Sequence, residues 1–413
     1  MNTTTTRAQT TSTKTTALLL FVATAAAVAL APVFTPEART DAPQGPVQGL
    51  QIQPTADQRP VIDALFVLDT TGSMGGLIQT AKEKIWSIAS TLASGQPAPE
   101  IRMGLVAYRD RGDDYVTRVL DLSPDLDRVH AALAGYEAQG GGDGPEDVNQ
   151  ALHDAVHRVS WSQESTAYKV IFLVGDAPPH LDYVQQVQYP EILAEARRRG
   201  IRVNAIQCGD LGETTADWQR IAQLGDGSYF RVDQAGGAVA IATPYDEALA
   251  RLSARLDDTR LYYGSAEIRS KRDAESAEAR EVQAASAPAV LARRAGYLAS
   301  ESGKASFAAK QELVEEVQSG RVDLDALPAE QLPAPLANLE PEARRELVEQ
   351  KAEERAELTR QIKDLANERS SYLRAQVEAA GGAADSLDQK LYEAVKVQAS
   401  RAGLEYQGAA PEY

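Results

Sequence analysis

Short apolar runs alternate with amphipathic stretches along the middle of the chain. The run over 61–68 is almost continuously apolar, which is typical of a strand buried on both faces. Similar runs predict further strands over 101–108, 115–122, 169–174, 201–207 and 229–232. Apolar positions recurring every three or four residues predict helices over 77–92, 124–136, 145–159, 184–199, 215–224 and 238–256.

The order of these elements predicts an α/β fold. Strands separated by helices form parallel units with right-handed crossovers. The strand over 115–122 follows its predecessor too closely for a crossover helix, so we expect an antiparallel strand at the edge. Residues 61–260 are therefore predicted to form one doubly wound, mostly parallel, Rossmann-like sheet. Its binding crevice should lie at the carboxyl ends of the strands.

A mainly α-helical extension is predicted after residue 260. The segment 261–338 is rich in charge and proline, which predicts a helical, partly disordered connector. Residues 339–413 are predicted to form a long helix over 341–380 and a helical tail. The apolar positions of the long helix are sparse, which leaves two interpretations open. It is either a salt-bridge-laced helix packed as an appendage, or a coiled-coil or partner-binding arm.

The charge balance limits the classes of partner. The chain has 59 acidic and 42 basic residues, and its net charge is −17. A nucleic-acid partner requires clustered Lys and Arg, so this balance argues against one, and equally against docking on anionic lipid. An acidic surface suits cation binding, although charge alone identifies no partner.

The N-terminus has the pattern of an export signal. Arg7 and Lys14 precede an apolar run over 17–32 that ends in small residues. This pattern, with Ala29-Leu30-Ala31 as the cleavage motif, predicts a signal peptide over 1–31. The alternative is an uncleaved membrane anchor, because the run approaches the roughly 18–20 residues that span a bilayer.

A proline-rich linker is predicted over 32–60, between the signal peptide and the first domain. Cys208 is the only cysteine, which excludes a lipid-anchor motif and an internal disulfide. We therefore expect an exported protein that is periplasmic, at the cell surface or secreted. Membrane attachment is expected only through an uncleaved N-terminal segment.

The end of the first predicted strand carries a candidate metal site. Asp69, Thr71 and Ser73 follow the apolar run, and alternate oxygens on such a turn can face one point. Hard divalent cations such as Mg²⁺ take oxygen ligands of this kind. Gly72 and Gly75 let the backbone curl around the ion.

Two later segments are expected at the same crevice. The glycine-rich stretch over 140–147 contains Asp143 and leads into a helix, and Asp176 ends a buried strand. Asp143 or Gly144 could equally be the N-cap of that helix, with Pro145 in its first turn. Capping and metal contact are compatible.

These three segments, in this order, resemble the von Willebrand factor A family and its metal-ion-dependent adhesion site. Asp69, Thr71, Ser73 and Asp176 match the pattern of that family directly. The wider motifs are similar to the A domain found beside alpha-type kinase domains, and to a bacterial exported branch. The resemblance implies a doubly wound fold that binds Mg²⁺, or Ca²⁺ or Mn²⁺, and mediates metal-dependent binding of a protein partner, as yet unidentified.

Asp143 departs from the family pattern, which has a threonine in the glycine-rich loop. With Asp143 as a ligand, the metal set would be Asp69, Thr71, Ser73, Asp143 and Asp176, and three carboxylates would face a 2+ ion. That balance should strengthen cation binding and weaken attraction for an acidic partner side chain. We expect Asp143→Thr to weaken metal affinity.

Other polar residues are less typical of a functional site. His153 and His157 stand four residues apart, but the apolar positions of their helix direct both outward, which disfavours a zinc site. His180 is more typical of a structural residue among prolines than of a functional one. Arg109 and Asp110 follow the second strand, where support of the metal ligands is plausible.

No catalytic residue is predicted. The best enzyme alternative is a phosphohydrolase with Asp69 as nucleophile, but such enzymes need a carboxylate two residues later, where Thr71 stands. Nucleotide-loop and serine-elbow motifs are absent from the sequence, as is a kinase signature after the domain. A third possibility is a structural cell-envelope protein that works through its long C-terminal helix.

Overall fold

The computed structural model describes residues 59–142, 144–234, 241–307, 311–381 and 386–407. The predicted signal peptide, nearly all of the predicted linker and Asp143 lie outside these ranges. The described residues belong to one compact unit.

Six strands form one sheet in the order β3-β2-β1-β4-β5-β6. They are β1 Val61–Asp69, β2 Glu100–Tyr108, β3 Thr117–Ser123, β4 Tyr168–Gly175, β5 Ile201–Cys208 and β6 Tyr229–Val232. All neighbours are parallel except β2 and β3, which pair antiparallel at the edge. The predicted doubly wound α/β fold is therefore confirmed, together with its antiparallel edge strand.

Helices cover both faces of this sheet. They are α1 Gly75–Ala93, α2 Leu126–Ala134, α3 Val148–His157, α4 Tyr189–Arg198, α5 Gly212–Leu224 and α6 Asp246–Asp257. Alternate residues of β1 enter opposite cores: Phe66 packs in the core that contains α1, and Val67 packs in the core that contains α3. This double burial explains why the first strand is an almost continuous apolar run.

The predicted start of α3 is wrong. The helix begins at Val148, and the side chain of Asp147 caps it by accepting from the backbone N–H of Gln150 at 2.9 Å. The preceding residues are extended because Glu146 pairs with Pro179 in a parallel bridge. The N-cap of α3 is therefore Asp147, whereas the sequence predicted Asp143 or Gly144.

Among the described residues after 260, the α-helices are α7 Ala266–Ala285, α8 Pro288–Ala299, α9 Glu301–Phe307, α10 Leu313–Gln318, α11 Ala334–Ala337, α12 Pro341–Ala379 and α13 Leu387–Ala399. The mainly helical extension is thus confirmed. Helix α12 buries one stripe of side chains against the rest of the protein: Val348, Leu358, Ile362, Arg369, Leu373 and Val377. Within the described ranges, no helix is long and apolar enough to cross a membrane.

Buried ion pairs join these helices to the sheet domain. Arg294 of α8 is fully buried and donates to both carboxylate oxygens of Asp127 at 2.6 Å. Lys84 of α1 lies 2.9 Å from Asp388 of α13, and both side chains are almost fully buried. Because each pair bridges elements far apart in sequence, the C-terminal helices are packed onto one face of the sheet domain.

Candidate metal centre

Asp69 lies at the carboxyl end of β1, at the base of the candidate site. Its side chain is fully buried, and its Oδ1 accepts from the backbone N–H and the hydroxyl of Thr71 at 2.8 and 2.6 Å. The chain then enters a short 3₁₀ turn over Gly72–Met74, which brings the Ser73 hydroxyl to 3.5 Å from that of Thr71. Three of the predicted ligands therefore converge on one turn.

The second oxygen of Asp69 is the unusual atom of the site. Oδ2 is buried and has no hydrogen-bond partner among the described residues. Burial raises the pKa of Asp69 to about 7; the nearby Asp176 carboxylate also raises it, while the hydrogen bonds from Thr71 and the charge of Arg109 lower it. A cation bound here would supply the positive charge that this buried oxygen lacks.

Asp176 comes from the neighbouring strand β4 and completes the described donor set. Gly175 precedes it, and a Cβ there would lie 3.2 Å from Asp69 Oδ2 and 2.5 Å from the Tyr108 hydroxyl, so a side chain would intrude on both. Asp176 is partly exposed, and its Oδ2 accepts from the Gln234 amide at 2.6 Å. The same amide lies 3.3 Å from the carbonyl oxygen of Ser73.

The glycine-rich loop packs directly against this turn. The N–H of Gly72 donates to the carbonyl of Gly140 at 3.2 Å, and the N–H of Gln139 donates to that of Thr70 at 3.1 Å. Gly140 and Gly141 both have positive φ, 78° and 77°, which favours glycine. Asp143 lies outside the described residues, so its role as a ligand stays a prediction.

Glu146 is a further carboxylate near the site, and its own sequence motif does not indicate a role there. It is buried, and a Cβ at Gly141 would lie 3.0 Å from both Glu146 Oε1 and Thr71 Cβ. Its N–H donates to Pro178, and its carbonyl accepts from His180. The backbone hydrogen bonds of Glu146 with Pro178 and His180 join segments that are distant in sequence, so only the fold brings Glu146 beside Asp69.

The described donors are two carboxylates and two hydroxyls. No three His, Cys, Asp or Glu side chains in the described part of the chain form a metal-binding group, so Glu146 lies beside Asp69 and Asp176 without joining them. Tyr108 forms the floor: burial and the charges of Asp69, Glu146 and Asp176 raise its pKa well above the usual value. Its phenol is therefore neutral.

A family model described as the von Willebrand factor A domain matches residues 64–244. Residues 64–244 are a von Willebrand factor A domain. This A domain includes every candidate metal ligand named above. The match does not extend to the C-terminal helices α7–α13.

Two relatives share part of the A domain. The alpha-protein kinase vwkA of Dictyostelium discoideum is 31% identical over 121 residues, which are 29% of this chain and 19% of that protein. A protein of Acanthamoeba polyphaga mimivirus, named as an ariadne-like RING finger protein, is 28% identical over 124 residues, which are 30% of this chain and 12% of that protein. The chain thus matches less than a fifth of either relative.

Among solved structures, the SpRpn10 A domain has a TM-score of 0.33 and 14% identity, and the match covers 43% of this chain and 89% of that one. Proximal thread matrix protein 1 from the mussel byssus, solved with a zinc-occupied adhesion-site motif, has a TM-score of 0.33 and 17% identity, and the match covers 42% of each chain.

Arg109 connects the loops that surround the A-domain site. It is buried, and its guanidinium donates to the carbonyls of Thr70 at 3.1 Å and Glu137 at 2.9 Å. It also lies 4.5 Å from the centre of the Tyr115 ring. The residue therefore fixes the backbone next to Asp69 and adds a positive charge that favours the ionised carboxylate.

His180 belongs to a separate polar cluster behind the A-domain site. Its ring stacks on Tyr183 at 4.2 Å and its Nδ1 lies 2.8 Å from Asp182 Oδ1. The Tyr183 hydroxyl donates to Asp110 at 2.9 Å, and Arg111 lies over the Tyr183 ring at 3.9 Å. His180 and Asp110 thus hold loops together, whereas His153 and His157 lie on the outer part of α3 with rings 4.5 Å apart.

Proposed function

We propose that the A domain binds one divalent cation and uses it to bind a protein partner. Asp69, Thr71, Ser73 and Asp176 would hold the ion, with Asp143 as a further ligand. The observation that carries the proposal is the buried Asp69 Oδ2, which has no partner among the described residues although the Thr71 and Ser73 hydroxyls and the Asp176 carboxylate lie nearby. Mg²⁺ suits these oxygens best, with Ca²⁺ or Mn²⁺ as alternatives.

The bound ion would supply a positive centre at the rim of the crevice. Asp69 lies at the buried base, whereas Ser73 is exposed, so the site opens toward solvent on the side of Ser73. With Asp143 the ligands carry one negative charge more than the ion neutralises. We therefore propose a partner contact through neutral oxygen atoms in preference to a carboxylate.

We also propose that the protein is exported. The basic start, the apolar run over 17–32 and the small-residue motif at Ala29-Leu30-Ala31 support this proposal. A cation-dependent interaction module would then act in the cell envelope or outside the cell. Fractionation of the native host, with detection of the mature N-terminus by mass spectrometry, tests both export and cleavage.

Cation binding is tested by calorimetric titration of the purified A-domain protein with MgCl₂, CaCl₂ and MnCl₂. We expect saturable binding that is lost in Asp69→Asn. The matched control is Asp258→Asn, because Asp258 is an exposed residue that pairs with Arg280 at 3.2 Å. Equal affinity in Asp69→Asn and the native protein would contradict the proposal.

Partner binding is tested by affinity capture from envelope extract with and without EDTA. Capture that EDTA and Asp69→Asn both abolish supports a metal-dependent module. The alternative function, a structural envelope protein acting through α12, predicts capture that is insensitive to chelation. A phosphohydrolase is disfavoured because the hydroxyl of Thr71, which donates to Asp69, occupies the position of the required acid.

A further inference from the structure

A cavity of about 600 Å³ lies between α1, α8 and α12, where the C-terminal helices cover the A domain. Its lining on α1 begins at Ser87, near the end of that helix, whereas the metal centre lies at its start. Ser87 lies about 18 Å along the helix axis from Gly75, the first residue of α1, at 1.5 Å per residue. The cavity is therefore separate from the site around Asp69.

The lining of this cavity is basic and rich in hydroxyls, in a protein with a net charge of −17. Its cations are Arg293, Lys363, Arg369 and Arg374, and no carboxylate is among the lining residues. The polar neutral groups are Ser87, Ser90, Ser94, Ser300, Asn367, Ser370 and Ser371. Positive charge is therefore concentrated in this cavity, although the protein as a whole is acidic.

Two of the four cations are already paired with carboxylates. Arg369 lies 2.8 Å from Asp246, and Lys363 lies 3.4 Å from Glu301. Arg374 donates only to the Ser371 hydroxyl, at 3.5 Å. Its charge therefore has no carboxylate partner within the described ranges.

Arg293 is the decisive residue. Only 7% of its surface is exposed, and its Nε has no hydrogen-bond partner among the described residues. Burial, with a smaller contribution from nearby Arg369, lowers the pKa of Arg293 to about 10, although the charges of Asp388, Asp246 and Glu83 oppose this shift; the side chain remains charged at neutral pH. A buried guanidinium N–H without a hydrogen-bond acceptor is unfavourable, because it has lost its contact with water.

We propose that this cavity binds a phosphate group, either free or carried by a small organic molecule. The guanidinium of Arg293 would donate to the phosphate oxygens from the buried side, and Arg374 would donate from the rim. Arginine matches phosphate geometry through paired N–H donors.

The remaining space accommodates an organic part. A volume of about 600 Å³ exceeds that of an inorganic phosphate and lies in the range of small-molecule sites. The small residues Ala93, Ala292, Gly296, Ala299 and Ala366 supply an apolar wall beside the arginines. Phosphate binding in this cavity does not require a cation at Asp69.

The test measures binding of inorganic phosphate and of ribose 5-phosphate to the full chain by calorimetry, in EDTA and at constant ionic strength. Thermal unfolding in phosphate and in chloride at the same ionic strength gives a second readout. We expect saturable binding of at least one probe, and a higher Tm in phosphate than in chloride. The ratio of the two affinities distinguishes free phosphate from a phosphate ester.

Arg293→Met should lower the affinity at least tenfold and raise the Tm in chloride, because it removes the unpaired buried charge. Arg374→Gln, at the exposed rim, should lower the affinity several-fold and provides a test if Arg293→Met fails to fold. The control is Arg345→Gln, on the same helix but paired with Asp325 outside the cavity. The proposal would be overturned if neither probe binds saturably. It would also be overturned if Arg374→Gln and a correctly folded Arg293→Met both bind the probes with the affinity of the native protein.

Discussion

The hydroxyl of Thr71 donates to Oδ1 of Asp69 across 2.6 Å, while Oδ2 of the same carboxylate is buried without a partner in the described part of the chain. The turn therefore supplies hydrogen-bond donors to Oδ1 of Asp69, but it supplies no donor or cation to Oδ2. This asymmetry distinguishes the site from an ordinary helix cap, in which the carboxylate accepts from backbone N–H groups and is exposed to water.

Asp69→Asn should stabilise the metal-free protein. Asparagine retains an acceptor for Thr71 and removes the charge that burial disfavours, so we expect a gain of about 1–3 kcal/mol in EDTA at pH 8. The folded pKa of about 7 lies above the ordinary aspartate pKa of 3.8, so the folded protein binds more protons between these values. The contribution of Asp69 to the stability of the metal-free native protein is therefore lost as pH rises toward 7. The gain in stability of Asp69→Asn over the native protein should be smaller at pH 5 than at pH 8.

Urea denaturation in EDTA measures this effect, and the same titration in excess MgCl₂ provides the reciprocal measurement. The native protein should gain stability from the cation, and Asp69→Asn should not. If Asp69→Asn is less stable than the native protein in EDTA at pH 8, the carboxylate is needed by the fold itself and the interpretation is wrong.

Gln234→Ala should tighten cation binding about three- to tenfold, a free-energy change of about 1 kcal/mol. The amide of Gln234 donates to Asp176 Oδ2 at 2.6 Å, so a cation must compete with this hydrogen bond for the same oxygen. Calorimetry with MnCl₂ provides the measurement. A weaker affinity in Gln234→Ala would mean that Gln234 positions Asp176 for the cation.

Asp143→Thr should weaken cation affinity about tenfold or more, because it removes a charged ligand. Glu146→Gln should have a smaller effect, since Glu146 lies beside the described donors without forming a group with Asp69 and Asp176. The two variants are compared by calorimetry under the same conditions. An unchanged affinity in Asp143→Thr would place Asp143 outside the coordination shell, and a larger loss in Glu146→Gln would transfer its role to Glu146.

Local sequence pattern predicted the sheet and the first turn of the site because both depend on neighbouring residues. The almost continuous apolar run of β1 indicates its double burial, and Asp69, Thr71 and Ser73 are close because they lie on one turn. Gln234 could not be identified in this way: it is 58 residues from Asp176 and follows a different strand. Polar contacts across loops leave no periodic signal.

The start of α3 shows how tertiary contacts override local signals. Pro145 and the acidic residues around it are typical of a helix N-terminus, yet the bridge from Glu146 to Pro179 keeps this segment extended. The charged faces of the C-terminal helices were misleading for a similar reason. Arg293 and Arg294 are adjacent charges that suggest a solvated surface, but both are buried against the A domain.

Lys84→Met should destabilise the protein by about 3–5 kcal/mol, because it leaves the Asp388 carboxylate buried without its counter-charge. The two groups are 2.9 Å apart and join α1 to α13. Adding Asp388→Leu to Lys84→Met should recover much of the loss, because an apolar pair replaces two buried ions. Urea denaturation of the native protein, both single variants and the double variant gives the coupling energy. Additive losses would show that the pair does not hold α13 on the domain.

His130 should make the protein less stable as pH falls from 6.5 to 4. Its ring is buried edge-on against Trp86 at 5.7 Å, and burial lowers its pKa from 6.5 to about 4, the charge of Arg294 contributing while Asp127 opposes. Between these values the unfolded chain binds the proton and the folded chain does not, so stability is complete above pH 6.5 and is lost on acidification toward pH 4.

His130→Phe removes this titration and keeps a ring against Trp86. The stability of the native protein relative to His130→Phe should therefore fall by about 3 kcal/mol between pH 7 and pH 4. Urea denaturation at half-unit intervals of pH measures the difference, and His153→Gln, whose side chain is 40% exposed, is the control. Since Asp69 titrates in both proteins, its opposite pH dependence cancels in the comparison. A constant difference between the native protein and His130→Phe would mean that His130 accepts a proton in the folded state as readily as in the unfolded chain.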